Sequence, residues 1–259
     1  MPNVAITFLG TGPSGRIPRP DCSRPSCRDA RKPGSRSKRL QQSLMMRSGG
    51  TAILFDVSLD VVGQLKNVKR LDAVFISHPH SDAYGGLPYL AQAIGHMGID
   101  RLPVYAAAAT WKRHHEDHPS AEVDEHVFQI GTDIPVGPFT IRSFRVLHTP
   151  DPATHPTAGF AISVGGRRIV LISDVKSIPP HSYRTIGHPD LLIMDCALYD
   201  LAFPNHVNFA EALAIVRRIG PQRTLLTQIG VTWPPYNEVR RIARRSGVDL
   251  AYDGLIVRL

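Results

Sequence analysis

The chain has 259 residues, 42% of them hydrophobic, and a formal charge of +8 at pH 7, which suits a globular protein of one large α/β domain or two small ones. No stretch approaches the roughly 18 apolar residues of a membrane helix, and the first eight residues lack the charged segment and apolar core of a secretory signal. Three cysteines, Cys22, Cys27 and Cys196, are too few for a disulfide framework. We therefore expect a cytoplasmic protein without membrane contact.

The spacing of apolar residues predicts strands and helices in both halves of the chain. In chain order these are strands at 4–9, 43–46 and 51–55, a helix at 59–68, a strand at 71–76, a helix at 87–96, strands near 104 and 127 and at 139–146, 159–164, 168–172 and 191–195, a helix at 209–219, a strand at 224–227, a helix at 236–246 and a strand near 256. Strands dominate, and neither a repeat nor a linker divides the chain. We therefore expect a single α/β domain over 1–259, built as a two-sheet sandwich with helices outside.

A Pro-, Arg- and Ser-rich segment at 13–42 interrupts this pattern and is predicted to be a basic loop. Between Arg16 and Arg39 it contains nine Lys or Arg and two Asp, a local excess of +7. Beside an active site, such a segment would attract phosphate-bearing ligands, because local positive potential raises the encounter rate of anions. A solvated basic loop without a ligand fits the same composition.

A compact group of metal-ligating residue types directly follows the predicted strand at 71–76. His78, His80 and Asp82 lie within five residues in the segment Ser77–Ala83. Two imidazoles and a carboxylate at the end of one strand can converge on one cation. The alternative for an isolated His-x-His is a polar turn in which the histidines only cap the strand.

Two further residues of the same kind follow two other predicted strands. His148 comes after the strand at 139–146, and Asp174 comes after the strand at 168–172. Functional side chains gather on such loops at the ends of rigid elements. The sequence therefore predicts a divalent-metal site formed by His78, His80, His148 and Asp174.

The order of these motifs resembles the metallo-β-lactamase superfamily, whose members have a His-x-His-x-Asp-His loop, a lone His, a bridging Asp and a final His. Within it the chain is most similar to the cyclic-phosphate phosphodiesterases associated with carbon-phosphorus lyase pathways. The segments that carry this similarity are 9–12, 17–18, 22–31, 171–175, 204–213 and 251–254. The resemblance covers essentially the whole chain and implies a four-layer αββα sandwich of the metallo-β-lactamase type. It also implies that His206 assists catalysis near the scissile phosphate.

The chain departs from this family at both imidazoles of the second metal site. Ala83 stands where the family has the second His of its Asp-His pair, and Gln228 stands where it has the late His. Alanine cannot ligate, and a neutral amide oxygen is a poor ligand for zinc. We therefore expect one Zn or Mn ion rather than two. Three imidazoles with an open position are a known catalytic zinc arrangement, in which the pKa of bound water falls to about 7.

The related enzymes also carry a structural zinc on three loop cysteines and a late histidine. Arg24 and Val231 occupy two of those four positions here. We therefore expect that this zinc is absent and that Cys22 and Cys27 are thiols. His96, His114, His115, His118 and His126 are predicted to be solvated or locally hydrogen-bonded, and His155 is a candidate replacement ligand at the catalytic metal.

The predicted function is a metal-dependent hydrolase, a phosphodiesterase that acts on a small cyclic phosphate or nucleotide through a metal-bound hydroxide. His206 would protonate the leaving oxygen, and Asp82 would contact the metal, accept a proton or orient a ligand histidine. One alternative is a catalytically impaired ligand-binding or sensor protein. Another is a tRNA-processing type of nuclease, although no RNA-binding arm is evident. The expected partner is a small anionic phosphate ester, with no nucleic acid and no membrane, and a homodimer is compatible with the sequence.

Overall fold

The structure, a computed structural model, describes residues 3–119, 123–152 and 154–259. The strands of this part of the chain are β1 (Ala5–Gly10), β2 (Ser43–Ser48), β3 (Thr51–Phe55), β4 (Ala73–Phe75), β5 (Pro103–Ala106), β6 (Asp124–Val127), β7 (Asp133–Val136), β8 (Phe139–Val146), β9 (Thr157–Val164), β10 (Arg167–Ile172), β11 (Leu191–Asp195), β12 (Arg223–Thr227), β13 (Asp249–Leu250) and β14 (Ile256–Arg258). The α-helices are α1 (Pro25–Ala30), α2 (Val61–Leu65), α3 (Ser81–Tyr84), α4 (Leu90–Ile94), α5 (Ala108–Asp117), α6 (Ser182–Ile186), α7 (Phe209–Ile219) and α8 (Tyr236–Arg245).

The strands form two mixed sheets of seven strands each. The first has the order β14-β1-β2-β3-β4-β5-β6, and the second has the order β13-β12-β11-β10-β9-β8-β7. In the second sheet, β10 to β13 are parallel, while β8, β9 and β10 alternate in direction. Every residue of β11 is buried. This explains its continuous apolar run, because a central parallel strand is covered on both faces.

Three apolar cores arrange these elements in layers. One core lies between the sheets and combines residues such as Phe55 and Phe75 with Phe160. A second packs the outer face of the first sheet against α2, α3, α4 and α5. A third packs the outer face of the second sheet against α6, α7 and α8. The order helix, sheet, sheet, helix confirms the predicted sandwich with helices outside. None of the helices described is both long and apolar enough to cross a bilayer.

The helix α5 was not predicted, because its sequence is polar and rich in histidine. Its buried side consists of Thr110, Trp111 and His114, which face the outer surface of the first sheet. His114 is fully buried beside the rings of Tyr84 and Trp111, so of the two predicted states, solvated or hydrogen-bonded, only the solvated one is wrong for this residue. His96 is hydrogen-bonded as predicted, since its Nε2 lies 2.7 Å from the Val68 carbonyl oxygen.

The basic segment 13–42 is not a loop throughout, since it contains α1. Several of its cations also have partners within the fold. Arg16 pairs with Asp60 at 3.0 Å, and the guanidinium of Arg36 lies 4.3 Å from the ring centroid of Tyr252. Arg39 is 2% exposed and donates to Thr11 Oγ1 at 2.7 Å and to the Ala251 carbonyl at 2.8 Å. Of these three cations, Arg39 is therefore enclosed in the fold, whereas Arg16 and Arg36 remain exposed and make their contacts at the surface.

Replacing Arg39 by methionine should lower the free energy of unfolding by about 3–5 kcal/mol, the range observed when one partner of a buried ionic network is removed. The substitution leaves the Ala251 carbonyl without this donor, and it removes the cation near Asp253, which accepts from Thr11 Oγ1. Urea denaturation measures the change. The matched control is Arg24→Met at an exposed position of the same segment, where we expect a change within about 0.5 kcal/mol. Equal stability of the two variants would contradict a structural role for Arg39.

Candidate metal centre

The two sheets bring the predicted site residues to one edge of the sandwich. Because β8 and β10 both run antiparallel to β9, their carboxyl ends lie at the same edge, together with those of β11 and β12. His148 and Asp174 each follow their strand by two residues, and Asp195 ends β11. The loop after β4 joins this edge from the other sheet, since the Ala158 amide donates to the Ser77 carbonyl at 2.9 Å.

The three predicted histidine ligands converge. One ring nitrogen from each of His78, His80 and His148 lies within 4.8 Å of the others. The Nε2 atom of His78 is buried and has no hydrogen-bond partner among the residues that the structure describes. Burial lowers the pKa of His78 and lowers that of His80 to about 4, which favours the neutral imidazoles that a metal requires. An unsatisfied buried nitrogen in a group of neutral imidazoles fits a divalent cation.

Hydrogen bonds from outside the cluster orient two of these rings. Ser77 Oγ lies 2.8 Å from His78 Nδ1, and the Ser77 amide donates to Asp56 Oδ1 at 2.8 Å. His148 Nδ1 lies 2.7 Å from the Asn205 carbonyl oxygen. Since a carbonyl only accepts, Nδ1 of His148 carries the hydrogen, and Nε2 keeps its lone pair for the centre of the cluster. The sequence analysis missed these partners, although Asp56, at the end of an apolar strand, was a detectable signal.

Asp174 lies beside the histidines, as predicted. Its Oδ1 is 3.8 Å from His148 Nε2, and its Oδ2 is 3.9 Å from His78 Nε2. Burial opposes ionisation, but the imidazoles of His78, His148 and His206 outweigh it and hold the pKa of Asp174 well below its ordinary value. Asp174 is therefore an anionic group that faces the same space as the ligand nitrogens.

His206 borders the cluster and is held by a second carboxylate. Its Nδ1 lies 2.8 Å from Asp195 Oδ2 and 3.6 Å from Asp174 Oδ1, and its ring centroid is 4.6 Å from that of His148. Burial opposes protonation, but Asp195, with Asp174 and Asp82, raises the pKa of His206 to about 9. Because Nδ1 is engaged by Asp195, Nε2 is the nitrogen left to exchange a proton. Asp195 was missed as a functional residue, although it ends an apolar strand as Asp56 does.

His206 also belongs to a second group that is able to hold a cation. One ligand atom from each of His148, Asp174 and His206 lies within 4.8 Å of the others. The geometry is therefore compatible with two roles for His206, a ligand and a proton donor. Among the described residues, Asp82 is in neither of the two groups. It is 9% exposed, and burial together with the charge of Asp174 raises its pKa to about 7.

Gln228 and Ala83 occupy the side of the cluster where the resemblance implies a second metal. Gln228 is 1% exposed, and its Nε2 donates to Asp174 Oδ2 at 2.8 Å. Its Oε1 is buried without a hydrogen-bond partner in the described part of the chain, and its backbone has a φ of 56°, a strained left-handed conformation for this residue. Ala83 is 2% exposed and packs in the core between the first sheet and its helices. An amide therefore binds a carboxylate oxygen of Asp174 on this side.

The remaining candidates lie outside the two groups. Cys22 and Cys27 are free thiols, and Cys22 and Val231 pack against the small apolar cluster that contains Cys27. Arg24, which with Val231 replaces a ligand of the structural zinc of the related enzymes, is exposed. The ring of His155 lies 5.6 Å from that of His80 and flanks the cluster.

Residues 51–229 match a family model described as "Beta-lactamase superfamily domain". An octanoyltransferase of Porphyromonas gingivalis is 25% identical in an alignment of length 262 that covers 96% of this chain and 50% of that protein. A ribonuclease J of Sinorhizobium meliloti is 28% identical in an alignment of length 169 that covers 60% of this chain and 29% of that protein. The chain thus spans half or less of the length of these relatives. A solved diphosphatase from the PhnP family has a similar fold, with a TM-score of 0.86, 22% identity and coverage of 99% and 97% of the two chains.

Proposed function

We propose that this chain, which belongs to the beta-lactamase superfamily, is a metal-dependent phosphodiesterase that hydrolyses a small cyclic phosphate or nucleotide. The observation that carries the proposal is the convergence of His78, His80 and His148 beside Asp174, with His206 at the edge of the group. The similarity of fold to a diphosphatase and the partial similarity to a ribonuclease support a phosphate-ester substrate.

A single Zn or Mn ion suits the available donors. His78, His80 and His148 would hold it, and Asp174 lies close enough to contribute an oxygen after a small side-chain movement. Such an ion, when bound, polarises a phosphoryl oxygen and lowers the pKa of water. The Gln228 amide at Asp174 supports one ion rather than two, because it engages a carboxylate oxygen of Asp174 and stands where the family has an imidazole ligand of the second ion.

The protein's own groups have separate tasks in this proposal. His206, oriented through Nδ1 by Asp195, donates a proton from Nε2 to the leaving oxygen. Asp82, buried near both Asp174 and His206, accepts a proton from the attacking water. Ser77 and the Asn205 carbonyl fix the ring directions of His78 and His148.

The basic segment 13–42 is attached next to this site at both ends, which supports an anionic substrate. The Ile229 amide donates to the Thr11 carbonyl at 3.0 Å, and Thr227 Oγ1 donates to Gln42 Oε1 at 2.5 Å. Gln228 lies between these two contacts. Cations of the segment that lack a carboxylate partner therefore raise the potential near the site.

Elemental analysis of protein purified without chelator tests the proposal when it is combined with hydrolysis of bis(p-nitrophenyl) phosphate before and after addition of Zn²⁺ or Mn²⁺. We expect about one ion per chain and turnover that a chelator removes. A protein that neither binds metal nor turns over the ester under any supplementation would instead be the ligand-binding or sensor protein that the loss of two family ligands also suggests.

A nuclease is the second candidate, favoured by the similarity to ribonuclease J. A protein that follows an RNA backbone loses affinity steeply as salt rises, because each phosphate contact releases counterions. Filter binding of a tRNA precursor at several salt concentrations tests this candidate. Weak binding that is insensitive to salt would exclude it and leave the small phosphodiester as substrate.

Restoring the two missing imidazoles should change the metal content from about one ion per chain to about two. In the double variant Ala83→His with Gln228→His, the amide contact to Asp174 is removed and two nitrogen donors are added on that side. Elemental analysis measures the ratio. The matched control is Gln228→Leu, which removes the amide and adds no ligand, so its content should stay at one. Two ions already present in the unmodified chain would contradict this account of Gln228.

A further inference from the structure

A row of rings leads from the candidate metal centre to the protein surface. The ring centroids of His80 and His148 are 5.0 Å apart, and those of His148 and His206 are 4.6 Å apart. Phe203 continues the row at 6.2 Å from His206, with its ring inclined by only 28° to the imidazole. Over the last three rings the side chains become more exposed towards Phe203, from 3% for His148 through the half-buried His206 to 48% for Phe203. Phe203 therefore lies at the outer end of the site.

The segment that carries Phe203 is tied to the site at several points. At its base, the Phe209 amide donates to the Tyr199 carbonyl at 3.2 Å. Further along, the Asn205 carbonyl accepts from His148 Nδ1, and Lys176 Nζ donates to the His206 carbonyl at 3.3 Å. These contacts hold the segment against the cluster while its apolar side chains face solvent. Leu201, in the same segment, is 50% exposed.

We propose that Phe203 stacks against the nucleobase of a substrate whose phosphate lies at the His/Asp cluster, so that the substrate is a nucleoside phosphate rather than a cyclic phosphate of a simple sugar or polyol. The inference rests on the proposed function and names its substrate class. In a nucleotide, a single ribose lies between the base and the phosphate. In the protein, a single ring, that of His206, lies between Phe203 and His148 of the cluster. The ring of Phe203 is exposed and nearly parallel to that of His206. A planar base stacks on an exposed aromatic face of this kind.

The nucleobase can belong to a free mononucleotide or to the terminal nucleotide of an RNA. Both present the same chemistry to Phe203, namely a planar base joined through ribose to a phosphate ester. Stacking on an aromatic ring tolerates all four bases, so we expect little preference among them. The dependence of affinity on the number of nucleotides in the ligand distinguishes the two sources, because only an oligonucleotide can make contacts beyond its terminal nucleotide.

Calorimetric titration with two ligands tests the inference independently of turnover. Adenosine 5′-monophosphate and ribose 5-phosphate share sugar and phosphate and differ in the base. We expect the metal-loaded protein to bind the nucleotide about 10-fold more tightly, which is within the range that base stacking contributes. Phe203→Ala and Phe203→Leu should bring the ratio of the two affinities close to one without weakening the binding of ribose 5-phosphate. Phe203→Trp should retain the ratio. Ile256→Ala, at an equally exposed residue on the edge strand β14, is the control and should change neither affinity.

Three results would overturn the inference: a ratio unchanged by Phe203→Leu, an equal weakening of both ligands, or no binding of either ligand to the unmodified protein. Selective nucleotide binding that depends on Phe203, in a protein without phosphodiesterase activity, would overturn the proposed function but leave the contact between Phe203 and the nucleobase of a bound ligand. Titration with a short oligoadenylate then identifies the source. Affinity equal to that of the mononucleotide indicates a free nucleotide, and higher, salt-sensitive affinity indicates an RNA end.

Discussion

Replacement of His78 by alanine is expected to abolish metal retention and phosphodiester hydrolysis together. His78 is 1% exposed, its Nε2 has no hydrogen-bond partner among the described residues, and it lies centrally between His80, His148 and Asp174. Loss of an outer partner of a ligand costs about 10- to 100-fold in metal affinity. Removal of one of three imidazole ligands should cost more than that. Elemental analysis and steady-state hydrolysis measure the two consequences on the same preparation.

The control for this experiment is His181→Ala, at an exposed histidine beside α6. It also removes an imidazole, but it should leave both metal content and turnover unchanged. A His78→Ala protein that still retains one ion and hydrolyses the ester would place the metal elsewhere. Thermal denaturation of both variants separates loss of the site from loss of the fold, because the site variant should remain folded.

Replacement of His206 by glutamine should lower kcat by about 10²- to 10⁴-fold, the usual contribution of a positioned general acid. The metal content should stay at about one ion, because His78, His80 and His148 remain. Asp195→Asn should reproduce part of the loss, since Asp195 Oδ2 holds His206 Nδ1 at 2.8 Å. The measurement is kcat for esters with alkoxide and with p-nitrophenolate leaving groups.

A comparison of the two leaving groups distinguishes the two roles that the geometry allows for His206, namely proton donor and metal ligand. A general acid matters for an alkoxide and much less for p-nitrophenolate, which leaves without a proton, so the loss should be larger for the alkyl ester. A ligand in the group with His148 and Asp174 would matter equally for both. Equal losses accompanied by reduced metal content would therefore assign His206 to the metal instead of the leaving oxygen.

Much of the fold and part of the site were predictable from local sequence patterns. The predicted αββα sandwich is confirmed, because its strands are continuous apolar runs, such as Leu191–Asp195, and its helices are amphipathic, such as Phe209–Ile219. The helix α5 escaped prediction because its few apolar residues pack against a sheet surface that the local pattern does not contain. The convergence of His78 and His80 with His148 followed from their places after two different strands, because strand ends gather at one edge of the sandwich.

By itself, the sequence determined the layered architecture, the set of residue types able to bind a cation, and the absence of two expected imidazoles at Ala83 and Gln228. Only the tertiary structure decided which distant groups meet: the Asn205 carbonyl at His148, 57 residues away, the Gln228 amide at Asp174, 54 residues away, and Asp195 at His206. The physical reason is that periodicity depends on neighbours along the chain, whereas a hydrogen bond depends on distance in space. A backbone carbonyl also carries no signature in its residue type, so its role as a partner of a ligand appears only in the folded chain.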